Sequence, residues 1–167
     1  MQRRLFLLGA SSALLLAGCG FKLREAPTYA FSSIYIVPTG GSTALLLELQ
    51  RNLESFGTVR VLRDAAAAVG ADVWVEVTSE AREQVVVGYN ATGGVRELQV
   101  RLRVHFKLRT AAGKELIPDT ELLLRRDVTY SETLALAKEA EIALLSRDMQ
   151  TDAVQQIVRR LGAVKSL

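Results

Sequence analysis

The spacing of apolar residues along the chain divides it into predicted elements. Residues 34–37 and 59–62 are short apolar runs of the kind that form strands. The segment between them predicts a helix, because apolar positions spaced like one helical face recur there: Leu46, Leu49, Leu53 and Phe56. Ser42 can cap the start of this helix, and Gly57 can end it.

From residue 73 the apolar period becomes two, which is typical of a strand with one buried face. Polar residues first alternate with Val73, Val75 and Val77, and a glycine-containing turn is predicted at residues 88–94. The most regular alternation in the chain follows, with apolar residues at every second position: Leu98, Val100, Leu102, Val104, Phe106 and Leu108. A turn at residues 111–114 leads to a further predicted strand at about 121–130.

A long helix is predicted from Thr133 to about Leu161, where apolar residues again recur every third or fourth position: Ile142, Leu145, Met149, Ala153, Ile157 and Leu161. The order strand, helix, strands, helix predicts an α+β fold. Two helices would pack on one face of a mixed, mostly antiparallel sheet of about four strands. The other face of that sheet would then meet water or a partner, which fits the alternation at residues 98–109.

The N-terminus has the features of an export signal. Arg3 and Arg4 precede an uncharged run at residues 5–17 that is rich in Leu and Ala. This run is shorter than the roughly 20 apolar residues that a membrane-spanning helix needs. Leu16-Ala17-Gly18-Cys19 then resembles the bacterial lipobox, in which the cysteine thiol is acylated before the signal is cleaved. The alternative is an ordinary signal peptide with a chance cysteine.

These features predict three segments: a signal peptide at residues 1–18, a lipidated tether at 19–30, and a single domain at 31–167. Acyl chains on Cys19 would anchor the protein stably, since several chains bind a membrane firmly. Gly20, where the usual sorting rule reads Asp as a retention signal, predicts an outer-membrane destination on the periplasmic side. Arg3-Arg4-Leu5-Phe6-Leu7 also resembles a twin-arginine motif, so the export route stays open.

Charge and composition exclude several classes of function. The chain has 21 Lys and Arg against 18 Asp and Glu, and removal of Arg3 and Arg4 with the signal leaves 19 against 18. This balance argues against nucleic-acid binding. Cys19 is the only cysteine and His105 the only histidine. No catalytic triad, metal-ligand spacing or phosphate loop is apparent in the sequence, so we expect a non-enzyme without metal or cofactor.

One strand carries a row of cations. Four basic residues share the polar side of the strand at residues 98–109: Arg101, Arg103, Lys107 and Arg109. Such a row suits the phosphates of an anionic lipid headgroup. The alternative is neutralisation across strands by nearby acids, for which the candidates are Glu76, Glu83, Glu97 and Asp127.

Three motifs resemble a known family when they are taken in order. They are Cys19-Gly20-Phe21-Lys22-Leu23-Arg24 at the mature N-terminus, Val95-Arg96-Glu97-Leu98-Gln99-Val100 in the central strand, and Leu134-Ala135-Leu136-Ala137-Lys138-Glu139 at the last helix. Together with length and element order, these motifs resemble LptE, the lipopolysaccharide-assembly lipoprotein family of Gram-negative bacteria. The resemblance covers essentially the whole mature chain.

The resemblance implies a non-catalytic role at the outer membrane. The partner it implies is the β-barrel LptD, which an LptE protein plugs and helps to assemble, and the ligand is lipopolysaccharide. Lys138 matches a lysine of the family's lipopolysaccharide site. The family's second basic residue lies in the hairpin before the central strand, but residues 88–94 contain no cation, and Arg96 is the nearest substitute.

The candidate lipopolysaccharide-binding residues are therefore Lys138 and Arg96, together with Arg101 and Arg103 of the cationic row. Two other functions remain open on the residues alone. One is a different outer-membrane lipoprotein adaptor, such as a secretin pilot or a transporter-associated subunit. The other is a small-ligand-binding lipoprotein, which would need a closed apolar pocket.

Overall fold

A computed structural model describes residues 27–167. The predicted signal peptide, Cys19 and the first part of the tether lie outside the described residues. In chain order the elements are β1 (Ser33–Val37), α1 (Thr43–Ser55), β2 (Arg60–Leu62), a 3-10 turn (Ala67–Gly70), β3 (Val73–Tyr89), β4 (Val95–Thr110), β5 (Glu115–Thr129), a second 3-10 turn (Glu132–Leu134) and α2 (Ala135–Ala163).

The strands form one mixed sheet in the order β2-β1-β3-β4-β5. The pairs of β1 with β2 and with β3 are parallel, whereas β3, β4 and β5 form long antiparallel pairs. The predicted fold class is confirmed, with five strands where about four were expected. The fifth strand begins at Glu115 rather than near residue 121, and it accommodates Pro118 because it lies at the sheet edge.

Helix α1 packs over the parallel part of the sheet. Ser42 caps it as predicted, since the Ser42 side chain accepts a hydrogen bond of 3.3 Å from the backbone N–H of Leu45. The fully buried residues of this helix are Leu45, Leu49 and Leu53. Leu46 and Phe56, which the spacing placed on the buried face, are only partly buried, whereas Leu45 is fully buried.

Helix α2 packs along the antiparallel part of the sheet and against α1. The apolar positions predicted on β4 are all buried on the side facing the helices, with Phe106 and Leu108 fully enclosed. The opposing residues of α2 include Met149, Ile157 and Leu161, which are also fully buried. This strand and this helix confirm the two clearest periodicities of the sequence.

The other face of the sheet, here called the open face, is covered only at one corner. There the first 3-10 turn packs against Tyr35 and Trp74, and the indole N–H of Trp74 donates a 3.0 Å hydrogen bond to the carbonyl of Ala68. Among the described residues no helix covers the rest of this face. Its remaining side chains come from β3, β4 and β5 and are mostly polar, although Val85 and Leu123 also lie there, opposite Gln99 and Arg103.

A bulge in β3 changes which of its residues face the helices. The pairing with β4 shifts between Val77 and Ser79, so Val77 lies opposite Phe106 whereas Glu80 lies opposite Val104. The turn after β1 presses against this bulge at Gly40, which has a φ of 71°. A Cβ on Gly40 would lie 2.1 Å from the carbonyl oxygen of Val77, so the approach requires glycine.

Beyond the bulge, polar residues of β3 face the helices and join a network between them. Glu80 accepts hydrogen bonds from the backbone N–H of Ser42 at 2.7 Å and from Arg82 at 2.7 Å. Arg82 also donates to Gln150 at 2.6 Å, and Gln150 donates to Glu48 at 2.7 Å. The network therefore connects the start of α1, strand β3, helix α2 and the middle of α1.

The substitution Gly40→Ala should destabilise the fold through a steric clash. Gly57→Ala is a matched control, because Gly57 has a similar φ of 63° but nothing lies within 4 Å of its Cβ position. The control should lower the free energy of unfolding by about 1–2 kcal/mol through backbone strain. Gly40→Ala should add about 1–3 kcal/mol for the clash, measured by urea denaturation. Equal losses for the two variants would contradict this account of the turn.

The substitution Glu80→Gln should remove part of the pH dependence of stability. The Glu80 side chain is only 5% exposed. Burial alone would raise its pKa, but the Ser42 N–H and Arg82 outweigh burial and hold the pKa below the ordinary value of 4.5. Because the folded-state pKa is depressed, the ionised carboxylate stabilises the fold above pH 4.5. That contribution disappears as the pH falls through the depressed value.

At neutral pH, Glu80→Gln should lower the free energy of unfolding by about 1–2 kcal/mol, since a charge-assisted hydrogen bond is lost. Below pH 4.5 the variant and the unchanged protein should converge. Urea denaturation over a pH series measures both effects. A difference that stays constant down to low pH would contradict the role of the ionised carboxylate.

Candidate functional site

The β3–β4 hairpin and the start of α2 lie at the same end of the molecule. A groove of about 540 Å³ lies between the hairpin and the segment that leads into α2. Residues of the turn and Arg96 line one side, and residues 130–133 line the other. The two sides are tied together by the backbone N–H of Tyr130, which donates a 2.8 Å hydrogen bond to the carbonyl of Arg96.

The hairpin turn is held by its own hydrogen bonds. The side-chain oxygen of Asn90 accepts from the backbone N–H and the hydroxyl of Thr92, at 3.0 and 2.8 Å, and from the backbone N–H of Gly94 at 2.8 Å. Gly93 has a φ of 85°, which closes the turn. Local hydrogen bonds therefore hold the turn. Any basic side chain at this end of the molecule belongs to the elements beside the turn.

Large apolar side chains are exposed at this end of the molecule. Together with Arg96 and Lys138, they form the surface that we call the apical surface. Leu136 is 84% exposed and Tyr89 is 65% exposed. The other exposed apolar members are Val86, Val87 and Leu134. A soluble surface rarely clusters apolar groups in this way without a partner or ligand.

Two of the predicted site residues belong to the apical surface. Lys138 lies in the first turn of α2, and its ammonium group is 2.8 Å from the carboxylate of Glu141. Arg96 is exposed near the start of β4, and the alternation of the strand places it on the same side as Leu98, which faces the helices. The structure thus brings Arg96 and Lys138 to one end of the molecule.

The other two predicted site residues lie elsewhere. Arg101 and Arg103 occupy alternate positions of β4 with the opposite orientation, so they lie on the open face of the sheet. The four residues predicted as one lipopolysaccharide-binding set therefore form two separate surfaces. The sequence contained a signal for this separation. In a regular strand, Arg96 falls an even number of positions from the buried residue Leu98 and shares its side, whereas Arg101 falls an odd number of positions away and lies on the other side.

Most cations of the open face have a partner. Lys107 lies 3.1 Å from Glu76, and Arg103 lies 3.8 Å from Glu121. The guanidinium of Arg109 stacks 4.5 Å from the ring centroid of Trp74. Of the four acids predicted to neutralise the row, Glu76 is the one that forms an ion pair with it among residues 27–167.

His105 also lies on this face, between two carboxylates of β5. Its Nδ1 is 3.2 Å from Asp119 and its Nε2 is 3.4 Å from Glu121. The hydroxyl of Thr78 and the imidazole of His105 hold the pKa of Asp119 below its usual range. This arrangement is a surface ion cluster rather than a nucleophile with its base.

Sequence reasoning missed Asp119, Glu121 and Arg125 because it could not assign the register of β5. The pairing of β4 with β5 places Glu121 opposite His105 and Arg125 opposite Arg101. That register shifts between Phe106 and Leu108, so counting back from the turn does not reproduce it.

Within the part of the chain that the structure describes, no helix is both long enough and apolar enough to cross a membrane.

Solved structures with the same fold are bacterial lipoproteins. One is lipoprotein B from Nitrosomonas europaea, with a TM-score of 0.73 and 32% identity, covering 86% of this chain and 91% of that one. Rare lipoprotein B from Shewanella oneidensis aligns with a TM-score of 0.66 and 18% identity, covering 79% of this chain and 95% of that one. The fold of residues 27–167 is thus one that solved bacterial lipoproteins share.

The sequence identifies the family within that class. The LptE family model, described as lipopolysaccharide-assembly, matches residues 31–161. The LPS-assembly lipoprotein LptE of Yersinia pestis is 26% identical over 166 residues, which cover 98% of this chain and 77% of the relative. The chain belongs to the LptE family of lipopolysaccharide-assembly lipoproteins, so the resemblance drawn from the short motifs is confirmed.

Proposed function

We propose that this protein is the lipid-anchored partner of the outer-membrane β-barrel LptD, which it plugs and helps to assemble for lipopolysaccharide delivery to the outer leaflet. The observation that carries the proposal is the match of the LptE family model to residues 31–161, essentially the whole predicted domain. The role is one of binding and positioning, without catalysis, metal or cofactor.

The open face suits the polar lumen of a large barrel. Two of its cations lie near carboxylates of neighbouring strands, Lys107 beside Glu76 at 3.1 Å and Arg103 beside Glu121 at 3.8 Å. Paired charges lose little solvation free energy when polar groups of a partner replace water. An apolar partner would leave the same charges without solvation. A barrel whose interior is lined by polar side chains provides such a partner.

The apical surface suits an amphipathic ligand. It combines the cations Arg96 and Lys138 with exposed apolar side chains, of which Leu136 and Tyr89 are the most exposed. Lipopolysaccharide carries phosphates beside acyl chains, so it can satisfy both kinds of group at once. We assign this surface to the ligand ahead of Arg101 and Arg103, which face the other way.

Attachment to the outer membrane would come from acyl chains on Cys19, on the periplasmic side. Cleavage after residue 18 would leave residues 19–30 as the tether to a domain at 31–167. Tyr29 and Phe31 pack together, with ring centroids 5.1 Å apart, so the last residues of this tether already contact the core of the domain.

Purification from native membranes in detergent tests the barrel partnership. We expect the acylated protein to co-purify with a large β-barrel in equal amounts, and mass spectrometry should find Cys19 carrying its acyl chains. A Cys19→Ala variant is the control for anchoring. Recovery of a monomer without a barrel, or crosslinking to a secretin or a transporter instead, would contradict the proposal.

The substitution Lys138→Glu should weaken lipopolysaccharide binding without unfolding the protein. The contact is charge-assisted, so we expect a loss of about tenfold in affinity, measured by titration in detergent. The new glutamate would meet Glu141 one turn away, a like-charge pair that costs about 0.5 kcal/mol in a helix, and Lys138 is partly exposed, so we expect the fold to persist. Lys165→Glu makes the same change of charge beyond the other end of α2 and should leave affinity unchanged. Equal affinity for Lys138→Glu and the control would remove Lys138 from the site.

A further inference from the structure

Two arginines face each other across adjacent strands on the open face. Arg101 of β4 and Arg125 of β5 are direct partners in the antiparallel register. Side chains in such positions have Cβ atoms about 4.5–5.5 Å apart, and like charges there destabilise the sheet. Arg101 is half-buried and Arg125 is exposed. The pair therefore places two positive charges together at a position where opposite charges would be more stable.

The acids of the neighbourhood do not neutralise this pair. Asp127 accepts a 2.8 Å hydrogen bond from Gln99, and Glu121 lies beside Arg103 and His105. Glu83 is opposite Arg101 in the register with β3, but no carboxylate oxygen lies within 4 Å of either guanidinium among residues 27–167. The Arg101–Arg125 pair thus differs from the matched charges around it.

One guanidinium of the pair is held in place. The Nε of Arg101 donates a 2.7 Å hydrogen bond to the side-chain oxygen of Gln99, whose amide nitrogen donates to Asp127. Gln99 thereby bridges Arg101 and Asp127, which do not contact each other directly. The terminal nitrogens of Arg101 remain available to another hydrogen-bond acceptor. Preorganised donors of this kind lose less conformational entropy on binding.

We propose that Arg101 and Arg125 form a two-arginine site for a phosphate monoester. A phosphate monoester carries nearly two negative charges and three acceptor oxygens, which match two guanidinium forks. A carboxylate or a phosphate diester supplies one charge and would leave the pair half neutralised. The site goes beyond the barrel partnership, and because the proposed function places the open face against the barrel, the site is tested on the protein without the barrel.

The test is titration of the full acylated protein in detergent with two phosphate monoesters and one diester. The probes are inorganic phosphate, short-chain phosphatidic acid and short-chain phosphatidylglycerol, and the readout is the NMR signal of the arginine Nε–H groups. We expect both monoesters to shift the Arg101 and Arg125 signals, and the diester to bind at least about tenfold more weakly. Binding of phosphatidic acid alone would identify a lipid headgroup as the source, and binding of inorganic phosphate alone would identify the free ion.

Variants separate the site from a general effect of charge or folding. Arg125→Glu should weaken monoester binding at least about tenfold, since one fork is lost and a competing carboxylate is introduced. The same variant should raise the melting temperature, because it converts a repulsive cross-strand pair into an attractive one. Glu83→Gln should strengthen binding, because it removes the acid that lies opposite Arg101 in the register with β3. Arg159→Glu, an equal change of charge on the exposed side of α2, should alter neither.

Arg101→Gln gives the same answer without creating a new ion pair, and it should also weaken monoester binding about tenfold. The proposal is overturned if no probe shifts the Arg101 and Arg125 signals. It is also overturned if Arg125→Glu and Arg101→Gln both bind the monoesters as tightly as Arg159→Glu does. Neither result bears on co-purification with the barrel.

Discussion

The burial of one side of β4 beneath α2 is the contact on which the rest of the molecule depends. Six apolar side chains of the strand, from Leu98 to Leu108, are buried, and each stabilises the fold by about 1.5–3 kcal/mol relative to an exposed position. Because β4 lies between β3 and β5, this contact also holds both neighbouring strands. The period of two then directs every intervening polar residue to the open face. The core and the open face therefore both result from the alternation of side chains along β4. A shift of the strand register by one residue would exchange the side chains on the two faces.

The bulge in β3 limits how far that apolar layer extends. Up to Val77 the strand contributes valines to the core, and beyond it the residues facing the helices are polar, beginning with Glu80 and Arg82. These residues bind Gln150 of α2 and the N-terminal backbone of α1, so the two helices are positioned by directional bonds as well as by apolar packing. The outer part of β3 therefore adds little to the apolar core, although the facing residues Leu98 and Val100 of β4 are still buried. Only near the tip of the hairpin do apolar residues such as Val87 and Tyr89 remain exposed.

The elements that the sequence predicted well are those whose pattern is local. The alternation at residues 98–109 and the spacing from Ile142 to Leu161 each depend on a single element, and both were confirmed. The early start of β5 was missed because Pro118 and Asp119 resemble a loop, although an edge strand tolerates them. The polar network was missed because it joins residues far apart in the chain, as Gln150 and Glu48 are. For the candidate site, the sequence showed which residue types are present but not which residues they contact. Glu121 lies opposite His105 because of a strand register that contains an irregularity, and the sequence did not reveal that register.

The two surfaces of the protein select different kinds of contact. An apolar partner on the open face would strip water from Glu76, Lys107 and their neighbours without replacing it, so any lasting cover for that face must itself be polar. The apical surface has a different requirement, because Leu136 and Tyr89 gain from leaving water. Its cation Lys138 already pairs with Glu141, so a bound anion would share or replace that partner. Arg96 and Arg101 lie on opposite sides of one strand, so these two cations meet different surroundings. Under the proposed function, the open face therefore contacts the barrel lumen, and the apical surface stays free to bind the lipid that the barrel delivers.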